Sequence, residues 1–293
     1  MEFKVTPKLM KYGIVIPMII FAVAIFALAS SYRDSGEFIK KGLDFEGGIQ
    51  VAVHTGKPVN LHDFENAVKK ETGSRDVSIV TTTDPATRKQ ESIIITASGL
   101  SDEKPVISAI EDFLKVQLKP TEYSISILGP ALAKTFWAQA RLAFIVAFIF
   151  MAIVVGFAYK SFVPSIAIVI ATAFDLTTII GFMAFFNVDL TLGTFAALLM
   201  MIGFGVDYNI ILTEKVFKEK EGDVYDRITR AMRTGLTMAA CTLVTLFALY
   251  FFGTSPVLKQ ISFALIIGTF ADITNTWFFN GNLLIWSMKR WQK

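Results

Sequence analysis

The sequence predicts a polytopic α-helical membrane protein with six transmembrane helices and one external α+β domain between the first two. Three observations predict it. The chain of 293 residues is 53% hydrophobic and only 18% charged, with a mean hydropathy of +0.54. Its apolar residues come in blocks of about 20, enough to cross the hydrocarbon core of a bilayer at about 1.5 Å rise per residue. Most of the remaining polar residues collect in one stretch, 32–134. The formal net charge of +3 is too small to imply a nucleic-acid partner.

The first block is "YGIVIPMIIFAVAIFALASS" (12–31). Lys4, Lys8 and Lys11 precede it, and Ala27-Leu28-Ala29 mimics a signal-peptidase site. The apolar run is longer than a signal h-region, so it reads as an uncleaved first helix. In the polar stretch, "GIQVAVHT" (48–55) alternates like a strand, and "NLHDFENAVKKETG" (60–73) is a helix with Asn60 as N-cap and Gly73 as stop. "DVSIVTTT" (76–83) and "ESIIITAS" (91–98) form a β pair around a turn containing Asp84-Pro85. "SDEKPVISAIEDFLKVQL" (101–118) is a second helix, capped by Ser101, with a core stripe at Val106, Ile110, Phe113 and Leu114. "EYSISILG" (122–129) is the last strand. The order βαββαβ is that of a split βαβ, ferredoxin-like unit, which hosts many functions and specifies none.

Five further spans follow, at 137–158, 163–186, 190–213, 234–253 and 258–287, and short connections (159–162, 187–189, 254–257) make neighbours antiparallel. The chain thus divides into 1–31, a cytoplasmic N-terminus and first helix; 32–134, the external domain; and 135–293, a five-helix bundle with a cytoplasmic C-terminus. Orientation follows from the cations flanking the spans. Lys4, Lys8 and Lys11, then Lys215, Lys218, Lys220, Arg227 and Arg230, then Lys289, Arg290 and Lys293 fall on one side, which places both termini inside.

Three aspartates lie within the spans: Asp175 in "ATAFDLTTI", Asp207 in "GFGVDYNII" and Asp272 in "IGTFADITNTW". A carboxylate there costs at least about 2.5–3.5 kcal/mol unless it is partnered or faces a cavity. Each is accompanied by small, hydroxyl or amide residues, among them Thr172, Thr178, Gly203, Gly205, Asn209, Thr269 and Asn275. Arg233 opens the fifth span at about the inner depth of Asp207. Burial disfavours a charged carboxylate and a nearby arginine favours it, so a group held between the two changes protonation when helices move. Asp207 is the first choice for such a relay and Asp175 the second, with Asn209 adjacent; Asp272 has a packing role as its alternative.

Elsewhere the sequence holds little chemistry. His54 and His62 lack metal spacing, so no metal site is expected. The single cysteine, Cys241, lies in an apolar block and reads as a small core residue. There is no phosphate-cradling glycine loop and no activated nucleophile, so neither a cofactor nor an enzymatic activity is expected. The inner loop "KVFKEKEGDVYDRITRAMR" reads as a short interfacial helix whose apolar face, Val224, Ile228 and Met232, rests on the bundle.

Two stretches carry a family resemblance. "GLDFEGG" (42–48), just outside the first helix, resembles the signature that opens the external domain of the SecD and SecF export subunits, and its Asp44-Phe45 form is more like the SecF branch. Gly42, Gly47 and Gly48 in it allow a tight turn. "IGFGVDYNIILTEKV" (202–216) is similar to the fourth-helix motif of that family, and "RTGLT" (233–237) to the arginine-containing start of the fifth. The resemblance places the chain with the resistance-nodulation-division transporters. It implies pairing with SecD, action beside the Sec translocation channel on a translocating polypeptide, and proton flow coupled to movement of the external domains. Asp207 and Arg233 would be relay residues, with Asp175 nearby. One departure is that bacterial SecF members read Asn-Asp-Thr where this chain has Asp207-Tyr208-Asn209, an order more like SecD. The carboxylate is displaced by one residue, about 100° around the helix, and the variant is archaeal-like. The alternatives are a half-transporter for a small lipophilic substrate and a membrane scaffold or sensor whose aspartates are structural.

Overall fold

The computed structural model describes residues 4–54, 61–72, 77–83, 90–100, 103–119, 123–159, 162–219 and 221–291. The caps expected at Asn60 and Gly73 and the turn at Asp84-Pro85 lie outside these residues, as do the side chains of His54 and His62; the second domain helix begins at Lys104 with Glu103 at its N-cap, so Ser101 is not the cap.

A first helical stretch, α1 (Pro7–Gly13), is N-capped by the Thr6 hydroxyl and leads into α2 (Val15–Ser35). Pro17 has no N–H to give to the carbonyl four residues back, at Gly13, which is where the helix is interrupted. A short helix, α3 (Leu43–Glu46), precedes the α+β domain: β1 (Gly48–His54), α4 (Leu61–Thr72), β2 (Val77–Thr83), β3 (Gln90–Ser98), α5 (Lys104–Leu114) and β4 (Tyr123–Leu128). The four strands form one antiparallel sheet in the order β2-β3-β1-β4. Alternation puts Ile49, Val51 and Val53 of β1 and Ile93 and Ile95 of β3 in one core, where they meet Phe64 and Val68 of α4 and Val106 and Ile110 of α5. The expected stripe on the second helix is therefore core.

The bundle continues with α6 (Pro130–Tyr159), α7 (Phe162–Phe185), α8 (Leu192–Phe217), α9 (Val224–Phe252), α10 (Pro256–Thr274), a π-helical turn (Asn275–Asn280) and α11 (Gly281–Trp291). Among the described residues six helical segments are long and apolar enough to cross a membrane. The middle is built from α7, α8 and α10, while α6 and α9 leave most of their surface uncovered. Gly181 lets α2 sit directly on α7, since a Cβ there would lie 2.6 Å from the Ala24 carbonyl oxygen.

Three expectations change. The inner segment is no separate interfacial helix, because α9 runs unbroken from Val224. Its face does rest on the bundle as expected: Ile228 and Met232, with Val224 beside them, pack against Leu212, Val216 and Trp277. The long last span is not one α-helix but α10, the π turn and α11. Cys241 is exposed on the outer face of α9, not in the core.

The α+β domain is tied to the bundle by the 42–48 turn. The Gly42 N–H donates to the Leu190 carbonyl at 2.8 Å, the Leu190 N–H donates to the Lys40 carbonyl at 2.8 Å, and Lys41 bridges Leu190. The Leu192 N–H, at the start of α8, donates to Asp44 Oδ2 at 2.8 Å, so a negative charge sits at the positive end of the helix dipole. Phe45 is buried edge-on against Trp137 of α6 and Phe195 of α8. Gly47 and Gly48 follow at φ +78° and +141°, and a Cβ at Gly47 would lie 2.9 Å from the Leu128 carbonyl oxygen. Only glycine fits both demands.

Asp44→Ala should lower the thermal unfolding midpoint of the detergent-solubilised protein, by the equivalent of about 1 kcal/mol for a lost helix cap. Asp44→Asn, which still accepts the bond, should lose less. Equal losses for the two variants would remove the capping role.

Candidate functional site

The sequence-predicted polar residues fall into two groups on opposite sides of α8. The first is buried. Asp175 on α7 and Asp272 on α10 are both fully enclosed, together with Asn209, Asn275, Thr276 and Asn280. The Asn275 Nδ2 donates to Asp175 Oδ1 at 3.0 Å and to the Ala171 carbonyl at 2.9 Å, tying the π turn to α7. The Thr276 hydroxyl donates to Asp272 Oδ1 at 2.7 Å. Each carboxylate thus uses one oxygen in a structural bond. The other oxygen of each, Oδ2, has no hydrogen-bond partner.

Both free oxygens face Gly205 of α8: a Cβ built there would lie 3.7 Å from Asp175 Oδ2 and 3.9 Å from Asp272 Oδ2. One turn on, the Asn209 Nδ2 donates to the Gly205 carbonyl at 2.6 Å, and the Asn280 Nδ2 donates to Asn209 Oδ1. Another turn on, the Thr213 hydroxyl is buried without a partner, as is Asn280 Oδ1. A file of polar side chains therefore runs along the inward face of α8.

The second group is exposed. Asp207 is two residues beyond Gly205, about 200° around the helix, and lies on the outer surface of α8 beside Gly203 and Phe204, both exposed as well. Arg233 is exposed on the neighbouring α9. Asp207 is in none of the ion pairs found among the described residues, where Arg230 holds Glu219 at 3.3 Å and Lys4 holds Asp226 at 2.8 Å. The structure thus brings together Asp175, Asp272 and Asn209 and sets Asp207 and Arg233 apart from them. Asp207 remains within electrostatic reach of Asp272. In "RTGLT", Gly235 makes room for the buried Trp277, whose ring atom Cη2 would sit 2.9 Å from a Cβ there.

Asn280 and Thr276 are the members of the buried group that sequence reading missed. Asn275 and Asn280 are five apart, a spacing that an α-helix separates around its axis but a π turn brings together. The signal present was the density of amides in "NTWFFNGN" (275–282).

Fold and site together define a multi-pass membrane protein with an α+β domain between its first two spans and a polar intramembrane core. Residues 109–290 match the family described as "Protein export membrane protein SecD/SecF, C-terminal". The protein-export membrane protein SecF of Pyrococcus furiosus is 31% identical over 274 residues, which cover 94% of this chain and 90% of that protein. SecF of Thermococcus gammatolerans is 35% identical over 272 residues, covering 92% and 83%. Among solved structures, SecDF of Thermus thermophilus, a translocon-associated membrane protein, superposes with a TM-score of 0.77 at 18% identity. It shares the fold over 96% of this chain, and this chain spans 38% of the SecDF chain. The chain belongs to the SecD/SecF family, on the SecF side, and is an accessory subunit of protein export.

Asn275→Ala should destabilise the bundle by about 1–3 kcal/mol, because it leaves Asp175 Oδ1 without its donor in the interior. Thermal unfolding in detergent measures it. A midpoint unchanged from wild type would show that the amide does not hold α7 to the π turn.

Proposed function

We propose that this chain works with SecD and the Sec translocation channel to move polypeptide across the cytoplasmic membrane, drawing on the proton or another ion motive force. One observation carries the reading: Asp207 lies on an exposed face of a membrane-spanning helix, with Gly203 beside it and Arg233 on the next helix. A carboxylate facing lipid is disfavoured, whereas a glycine invites close approach of another helix. That face suits a partner subunit, and SecD is the partner the family supplies. Membrane lipids then cover the purely apolar faces, such as that of α6 with Phe150 and Phe157.

On this reading Asp207 and Arg233 meet the ion path at the subunit interface, and Asp175, Asn209 and Asp272 continue it inside the chain. Both termini lie in the cytoplasm, as the flanking cations favour. The 32–134 domain, ferredoxin-like in its element order, faces outward, where translocating polypeptide emerges. One proton moving through 100 mV releases about 2.3 kcal/mol, so several protons per cycle match the scale of a domain movement.

Asp207→Asn should leave the protein inserted and copurifying with SecD while abolishing ion-gradient-dependent support of export in inverted vesicles. Export unchanged at normal protein level would refute the relay. Arg233→Ala should impair export more than Lys259→Ala does; equal effects would mean that the assay reads overall charge and not the relay.

A further inference from the structure

The buried carboxylate pair poses a problem that the exposed face does not solve. Asp175 and Asp272 come from different helices, are both fully enclosed, and direct their unpartnered Oδ2 atoms at the same glycine. Two anions in a low-dielectric interior repel strongly and lack solvation. Their other ionisable neighbours on α8 are Asp207, in electrostatic reach of Asp272, and Tyr208, in reach of both Asp272 and Asp207. Neither supplies positive charge. The neighbouring Asn275 and Thr276 spend donors on the two Oδ1 atoms and leave both Oδ2 atoms without a partner.

We propose that Asp175 Oδ2 and Asp272 Oδ2 together hold one monovalent cation, a proton or a sodium ion, inside this single chain. Two hard carboxylate oxygens suit either. Gly205 is what keeps the place open, since any side chain there would project at the two oxygens. The polar file through Asn209, Asn280 and Thr213 leads from the pair along about 12 Å of α8 toward its Lys215 end, and its two unpartnered oxygens, Asn280 Oδ1 and Thr213 Oγ1, provide stepping points for a cation. The pair deepens the ion-coupling reading by placing a binding site within the subunit, away from the face assigned to SecD.

The test reads binding and not export, so its failure is distinguishable from failure of the relay at Asp207. Purified full-length protein in lipid nanodiscs is unfolded thermally in NaCl, then in potassium chloride of equal ionic strength, and then across pH without sodium. The infrared carbonyl stretch of a protonated carboxylic acid is recorded in parallel. A saturable rise in midpoint with sodium alone, lost in Asp175→Asn and Asp272→Asn and kept in Asp207→Asn, identifies sodium. A protonated-acid band present without sodium, removed by Asp272→Asn and kept in Asp207→Asn, identifies a proton. Gly205→Leu, which puts apolar atoms against the two oxygens and leaves both carboxyl groups in the sequence, should abolish the sodium-dependent midpoint or displace the acid band, and stands in if an aspartate variant fails to fold. Wild-type protein that shows neither a sodium-dependent midpoint nor an acid band overturns the proposal, as does a signal that survives in both Asp175→Asn and Asp272→Asn.

Discussion

The structure is organised around the need to keep carboxylates in a membrane interior. Asp175 and Asp272 are acceptable there only because each has one oxygen satisfied by a donor from the π turn or its edge. That requirement fixes much else. Asn275 and Thr276, at the start of the π turn, reach Asp175 of α7 and Asp272 of α10, and the turn itself brings Asn280 round to Asn209 of α8. An uninterrupted α-helix from Pro256 onward would satisfy the first of these contacts and lose the last. The break in the final span is thus a consequence of the polar core, and the helices that meet there form the tightest part of the bundle.

The exposed charges obey the same constraint differently. Inside the chain the demand of a carboxylate is met by amides and hydroxyls. On the outer face of α8, Asp207 has exposed neighbours such as Gly203 and Phe204. Such a face suits another membrane-spanning segment packed against it, the place proposed above for SecD. The two groups of polar residues sit back to back across one helix, so whatever binds on one side acts on the other through a shared backbone.

Much of the architecture was legible in the sequence. Hydrophobic blocks of bilayer length gave the spans, and strand alternation with helical periodicity gave the order of the elements in the α+β domain, because both depend on local periodicity. The candidate site was legible in its residue types but not in its arrangement. Asp207 stands out in a linear reading because it interrupts an apolar run, yet α-helical phase puts it opposite Gly205 and outside the core. Asp272 looked dispensable because its partner, Asp175, lies nearly a hundred residues away, a tertiary contact with no local trace. Asn280 was hidden by the change of helical period, and Cys241 looked buried because membrane helices are apolar on their lipid-facing side too, which removes the amphipathic signal that marks a core in water.

The clamp between Asp44 and the start of α8 has a mechanical consequence. As a helix of 26 residues, α8 is a rod about 39 Å long. Its N-terminal end is grasped by the turn that opens the α+β domain, and its middle, at Gly205, rests against the acidic pair. A rod so held has the geometry of a lever: any tilt of α8 at its middle would reach, about 20 Å away, the root of the sheet through Asp44, Gly42 and Phe45. Because Gly47 and Gly48 pin β1 tightly against β3 and β4, that displacement arrives as motion of the whole sheet and not as bending of a strand.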